Sequence, residues 1–314
     1  MTMQHFFDTT YKQYLSAKGT RASSISDVQS TLNKWNDIIG AIALDAIADE
    51  TIWHFAATLS GQKNAKGLAF SPNTTRKHLR NIRAILRYAL KRRMIGQMPD
   101  IIMPKERFRG ACDSFTFSEI QTLIQTTSMF KGQEIDGMDA AEWWKQLIVF
   151  LYCSACRVGT ATKARFDWVH GNRLEIAANT DGVKTCYDLP LGNEAQSVIG
   201  MMRRSHKESR IFPNPHKREW LHRRFRELCE EAGIPPERRF GFHGIRKHTG
   251  SVMATKDFAA AVKLLGHSDP KVTARYYLNP EIVCEKAVER IPPLHHDGIF
   301  KRVWKQIVRL FFGK

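Results

Sequence analysis

The sequence predicts a mainly α protein, with a helical N-terminal domain and an α+β C-terminal domain built on a small antiparallel sheet. Three observations carry that expectation. Apolar residues recur at steps of three and four through the first hundred residues. One pair of strand-like runs, Leu174 to Ala178 and Cys186 to Leu191, lies about Asp181-Gly182 and reads as a hairpin. Residues 99–113, with Pro99, Pro104 and Gly110, read as a linker, and 314 residues suit about two domains. The expected division is 1–105, 106–290 and a tail, 291–314.

His5 to Lys18 places Phe6, Phe7, Tyr11 and Tyr14 on about one face before Gly19. Ser23 to Ile39 is a second helix, stopped at Gly40, and Thr51 to Ser60 is a third, with Ile52, Phe55 and Leu59 inward. The fourth opens at Ser71-Pro72, a cap followed by proline in the first turn, and runs to about Met94. On it Leu79, Ile82, Leu86 and Ala89 share one side, and Arg76, Arg80, Arg83, Arg87 and Lys91 share another. In the second domain Ser118 with Gln121 suggests a capping box, and Glu142 to Cys156 is an apolar, buried helix. The rest reads as helical, broken at Pro213 to Pro215, Gly233 to Pro236 and Gly266.

The chain carries 48 Lys+Arg against 31 Asp+Glu, a net charge of +17. Residues 61–110 hold 13 basic and 2 acidic side chains, and residues 201–285 hold 17 and 10. Two separated basic zones suggest two domains on one polyanion, nucleic acid before membrane. The arginine face of the fourth helix has no acidic members to pair with, so phosphate contact is expected there. The apolar content of 43% excludes a disordered chain. No run of 18 apolar residues suggests a membrane span, and residues 1–10 lack the pattern of a secretion signal. Six irregularly spaced cysteines read as reduced thiols of a cytoplasmic protein. Cys153 and Cys156 form a lone CxxC in an apolar helix and read as core thiols. No phosphate-cradling glycine loop and no carboxylate cluster for a two-metal nuclease is present, so neither cofactor nor metal is implied.

A set of cations and tyrosines remains. His243 and Arg246 sit three apart on one side of a helix, and Leu264-Leu-Gly-His267 puts a histidine after a glycine stop. Ser268-Asp269-Pro270 opens a further helix that carries Tyr276, nine residues after His267. Upstream, Leu151 to Arg157 is an apolar run ending in an arginine. The ordered set resembles the signature of the tyrosine recombinase (phage integrase) family, and the resemblance covers nearly the whole chain. It implies a core-binding helical domain, then a catalytic domain using Arg157, Lys184, His243, Arg246, His267 and the nucleophile Tyr276.

Two positions depart from the family pattern. Thr160 stands where relatives usually carry an acidic residue that orients the first arginine, and the only hairpin lysine, Lys184, follows the turn rather than preceding it. Tyr277 is a rival nucleophile, since consecutive helical side chains point about 100° apart and only one can face a site. The chemistry is coherent: paired guanidinium groups can clamp the oxygens of a transferring phosphate. A phenol of ordinary pKa about 10 needs a base or nearby cations to attack at neutral pH. His243 is the candidate base, His267 a phosphate donor and Lys184 the acid for the leaving oxygen.

By that resemblance the expected activity is site-specific DNA strand cleavage and rejoining through a 3′-phosphotyrosyl bond. Strand relaxation of the topoisomerase IB kind and DNA binding without catalysis are the alternatives. The expected partners are double-stranded DNA, further copies of the chain up to a tetramer, and accessory DNA-bending proteins, with no membrane. Residues 299–312 form an apolar stripe among Lys301, Arg302, Lys305 and Arg309, an amphipathic helix too short to span a bilayer. Packing on its own domain, docking on a neighbouring subunit and lying on a membrane surface are all open to it.

Overall fold

A computed structural model describes residues 1–63, 67, 69–105, 114–176, 187–214, 216–279 and 282–283. The chain divides into two compact units, Met1–Arg109 and Gly110–Lys314. The fold is mainly helical with small antiparallel sheets.

The first unit packs α1 (Met3–Phe6), α2 (Lys12–Ala17), α3 (Ala22–Ile38), α4 (Asp49–Gly61) and α5 (Pro72–Lys91) around one apolar core. Between α1 and α2 the residues Phe7–Tyr11 form a π-helical turn, which the periodicity did not foretell. That turn buries Phe7 and Tyr11 and brings Tyr11 and Tyr14 against Tyr88 of α5. The helix α5 starts as the sequence predicts: the Ser71 hydroxyl accepts from the Thr74 amide, and Pro72 occupies the first turn. It ends at Lys91, three residues short of the expected Met94.

In the second unit α6 (Phe117–Thr126) is opened by a capping box, but from Thr116 and Glu119 rather than Ser118 and Gln121. Thr116 accepts from the Glu119 amide, Glu119 returns the bond, and Ser118 already lies inside the helix. A two-stranded ribbon, β1 (Glu134–Ile135) with β2 (Met138–Asp139), was not expected; Asp136 and Gly137 form its turn, both at positive φ. The central helix α7 (Ala140–Ser154) begins two residues before the expected Glu142, because Asp139 caps it by accepting from the Glu142 amide. Trp143, Trp144, Leu147, Ile148, Phe150 and Leu151 on α7 are all buried, so this helix is the axis of the second core. Of the two CxxC thiols Cys156 is buried, while Cys153 is half-buried and donates to Glu194.

After the short α8 (Val158–Ala161) come β3 (Val169–His170), β4 (Arg173–Ile176) and β5 (Tyr187–Pro190), an antiparallel sheet in the order β3-β4-β5. The predicted hairpin is β4 with β5, in the register Leu174 opposite Leu189. The helices α9 (Asn193–Ser205), α10 (Arg218–Glu231), α11 (Phe242–Ala254), α12 (Phe258–Leu264) and α13 (Pro270–Tyr276) complete the unit. Among the described residues no helix is long and apolar enough to cross a membrane. The hairpin tip with Lys184, and the tail helix expected at 299–312, lie outside the described residues.

Candidate active site

Three chain segments of the second unit converge on one cluster. The first is the turn after α7. Ala155 takes the left-handed conformation there, at φ 50, which a residue with a Cβ rarely adopts. Its carbonyl accepts a hydrogen bond from Nη1 of Arg246, which holds the turn in place. Arg157, half-buried, then stands at the N-terminus of α8. Thr160 is buried, and its amide donates to the Arg157 carbonyl over 2.8 Å. At the position where relatives carry an acidic residue, Thr160 thus meets Arg157 through the backbone.

The second segment is α11. Its first residue, Phe242, stacks on Phe225 at 4.1 Å and packs against Trp144 at 6.2 Å, which fixes where the helix begins. A close approach follows at Gly244, where a Cβ would lie 2.8 Å from the Phe240 Cβ and 2.9 Å from the Phe115 ring. With the helix pressed in at that point, Arg246 is 1% exposed. Arg246 Nη2 donates to the Leu265 carbonyl, so one guanidinium braces the turn bearing Arg157 against the turn bearing His267.

The third segment is the α12–α13 turn. Gly266 at φ 58 ends α12, and the His267 amide closes back on Val262. Asp269 caps α13 and Pro270 occupies its first turn, as the sequence predicts. His267 Nδ1 lies 2.8 Å from the Thr273 hydroxyl.

The tyrosine that the structure brings to this cluster is Tyr277. It is buried, and its hydroxyl lies 2.6 Å from His243 Nε2. Its ring centre is 4.3 Å from that of His267 and 5.3 Å from the Arg246 guanidinium carbon. Ser251 holds it from behind, donating to the Tyr277 carbonyl and accepting from the Asn279 amide, while the Asn279 side chain reaches Ser114. Tyr276, the position expected from its distance to His267, is instead 41% exposed, with its ring beside Arg275. The cause is geometric: α13 ends at Tyr276, and the turn around the axis to the next residue carries Tyr277 inward.

Both histidines are held neutral. Loss of surrounding water, then the charges of Arg246, Lys247 and Arg157 and the neighbouring His267, pushes the His243 pKa down to about 4, although the residue as a whole is exposed. Desolvation, then Arg246 and Arg157, brings His267 down to about 4 as well. Arg157 acts on both rings, which places it in the same electrostatic cluster. Together the cluster holds fixed cations, two neutral imidazoles and a phenol, a set suited to binding an anion and attacking it.

Family models match both units. Residues 114–281 match the model described as the phage integrase family, and residues 3–102 match the phage integrase SAM-like domain. The chain belongs to the phage integrase family. No curated protein sequence matches it. In fold, this family member is similar to a lambda integrase (75–356) dimer bound to a COC′ core site. That similarity has a TM-score of 0.69 at 15% identity, over 88% of this chain and 95% of the other. It is also similar to the Tn1549 transposon integrase in complex with a circular intermediate DNA, with a TM-score of 0.68 at 13% identity over 93% and 99% of the two chains. A lambda integrase tetramer bound to a Holliday junction matches with a TM-score of 0.68 at 14% identity, over 88% of this chain and 77% of the other.

The predicted cationic face of α5 divides in two. Arg80, Arg87 and Lys91 are exposed. Arg76 and Arg83 are half-buried and donate to the carbonyls of Pro104 and Ile101, so they fasten the end of the first unit onto α5. Lys77, which the sequence reading passed over, is exposed but pairs with Asp27 at 2.6 Å. The reading also passed over Thr273, Ser251 and Gly244. Only Gly244, a glycine inside a helical run, carried a local sign of its role.

Proposed function

We propose that this chain is a site-specific DNA recombinase that cleaves and rejoins duplex DNA through a phosphotyrosyl bond, with Tyr277 as the nucleophile in the arrangement described. The single observation that carries this reading is the Tyr277 hydroxyl on His243 Nε2 at 2.6 Å, within the influence of Arg246 and Arg157. The Tyr277 oxygen attacks phosphorus, the phenolic proton passes to His243, and the bond to the 5′-oxygen breaks. Arg157 stabilises the charge on the non-bridging oxygens, with Arg246 behind it, and Lys184 protonates the leaving 5′-oxygen. A base with a pKa of about 4 stores a proton poorly, so His243 mainly aligns the phenol and releases its proton to solvent. The phosphotyrosyl bond conserves the energy of the broken diester, so a 5′-hydroxyl from a second strand reverses the step without a nucleotide. The partners that suit this reading are duplex DNA and further copies of the chain, as in the DNA-bound dimer and tetramer of lambda integrase.

The test is covalent trapping on a nicked duplex carrying the cleavage site. Tyr277→Phe loses the protein–DNA adduct and keeps DNA affinity, because only the attacking oxygen is removed. Tyr276→Phe keeps the adduct. The opposite pattern assigns the nucleophile to Tyr276, and an adduct that survives both changes made together overturns the phosphotyrosyl reading.

A further inference from the structure

The cluster contains a hydroxyl that the reaction scheme leaves unused. Thr273 is wholly buried, and its Oγ1 lies 2.8 Å from His267 Nδ1. Among the described residues that hydroxyl has no other hydrogen-bond partner. A buried hydroxyl hydrogen needs an acceptor, and the ring nitrogen is the one within reach. The other ring nitrogen, His267 Nε2, is buried and has no partner among the described residues. Around it stand the Tyr277 ring and the charges of Arg246 and Arg157.

We propose that the Thr273 hydroxyl donates its hydrogen to His267 Nδ1 and thereby sets the ring as a donor, with an Nε2–H presented to an anionic oxygen bound in the cluster. The opposite polarity, Nδ1–H donating to Thr273, strands a buried hydroxyl hydrogen and turns a lone pair toward the anion. The neutral state of the ring at pH 7 makes the choice consequential, because a neutral imidazole carries a single hydrogen and can donate from one nitrogen only. Thr273 is therefore a positioning residue acting through His267. It does so from the helix that delivers the tyrosine, since the Tyr277 amide donates to the Thr273 carbonyl at 3.0 Å. That the bound anion is a DNA phosphate rests on the function proposed above; the state of the ring does not.

Nitrogen NMR on the full chain with ¹⁵N-labelled histidine tests the assignment, with the His267 signals identified by their loss in His267→Gln. The expected result at pH 7 is a hydrogen on Nε2 and an Nδ1 shifted as a hydrogen-bond acceptor. Thr273→Val raises the His267 pKa, since the donated hydrogen stabilises the neutral ring, and Thr273→Ser restores the original titration. In single-turnover cleavage of the nicked duplex, Thr273→Val slows the reaction by about tenfold or more with DNA affinity unchanged, the size expected for a misaligned donor, while Thr273→Ser stays within about threefold. A hydrogen on Nδ1 in the unmodified protein overturns the proposal, and that measurement needs no folded variant. An unaltered His267 titration in Thr273→Val overturns it too. If the ring state is as expected but the unmodified protein forms no adduct with DNA, the recombinase reading fails and the histidine assignment stands.

Discussion

Replacing Gly244 by alanine tests whether close packing at the start of α11 sets the site. The new Cβ would lie 2.8 Å from the Phe240 Cβ and 2.9 and 3.0 Å from two carbons of the Phe115 ring. Carbon atoms rest at about 3.5–4.0 Å, so the overlap is about 0.5–1.2 Å across these contacts. Neither neighbour can swing away: one atom is fixed to the backbone, and Phe115 is wholly buried. Overpacking of this kind costs about 1–3 kcal/mol, and the helix gains up to about 1 kcal/mol from exchanging glycine for alanine. The net loss centres on about 1–2 kcal/mol, which lowers the melting temperature of the second unit by about 2–8 °C, from the slope for a domain of about 200 residues. Calorimetry of the full chain reads this directly. Gly250→Ala is the control on the same helix, because its Cβ meets the end of the Leu265 side chain at 3.0 Å rather than a fixed atom, and its loss is smaller. Adduct formation falls further than stability, since displacing His243 by even about 1 Å can cost about a hundredfold in rate. A higher or unchanged melting temperature for Gly244→Ala, with a drop for Gly250→Ala, would refute the reasoning.

The remaining expectations concern the basic helix and pH. Arg80→Ala, Arg87→Ala and Lys91→Ala each lower the slope of log DNA affinity against log salt by about 0.9 if the exposed face of α5 meets phosphates; an unchanged slope makes that face merely solvated. Arg76→Ala and Arg83→Ala instead lower the melting temperature of the first unit, because each removes a charged donor from a backbone carbonyl. For the pH dependence, His243 and His267 have folded pKa values of about 4 against an ordinary 6.5, so the unfolded chain takes up protons that the folded chain refuses. Their contribution is complete above pH 6.5 and is lost as pH falls toward 4. Melting temperatures measured across that window fall with pH, and His267→Gln flattens the curve; a profile identical to that of the unmodified protein refutes the link.

Much of this protein is written in local signals. The cap at Ser71-Pro72, the apolar rows of α5 and α7, the stop at Gly266 and the start at Asp269-Pro270 depend on neighbours a few residues away, so the sequence alone places those elements to within a few residues. The order of Arg157, Lys184, His243, Arg246 and His267 along the chain, with Tyr276 nine residues after His267, was enough to point to a family whose model then matched. Other features were decided by contacts between distant segments. Adjacent tyrosines share almost every local property, and only the seating of α13 on α12 and the clamp from Ser251 of α11 put Tyr277 on His243 and left Tyr276 outside. Five cations at helical spacing look alike in sequence, yet two of them meet carbonyls of a returning segment and the others face water. Arg246 proved to be a brace between two turns because its partners, the carbonyls of Ala155 and Leu265, carry no side-chain signature. Spacing along one helix fixes which residues share a face, but the partner that face meets is set by chain segments far off in sequence. That is why the candidate histidines and arginines could be named in advance, and their register and hydrogen-bond partners only in the folded chain.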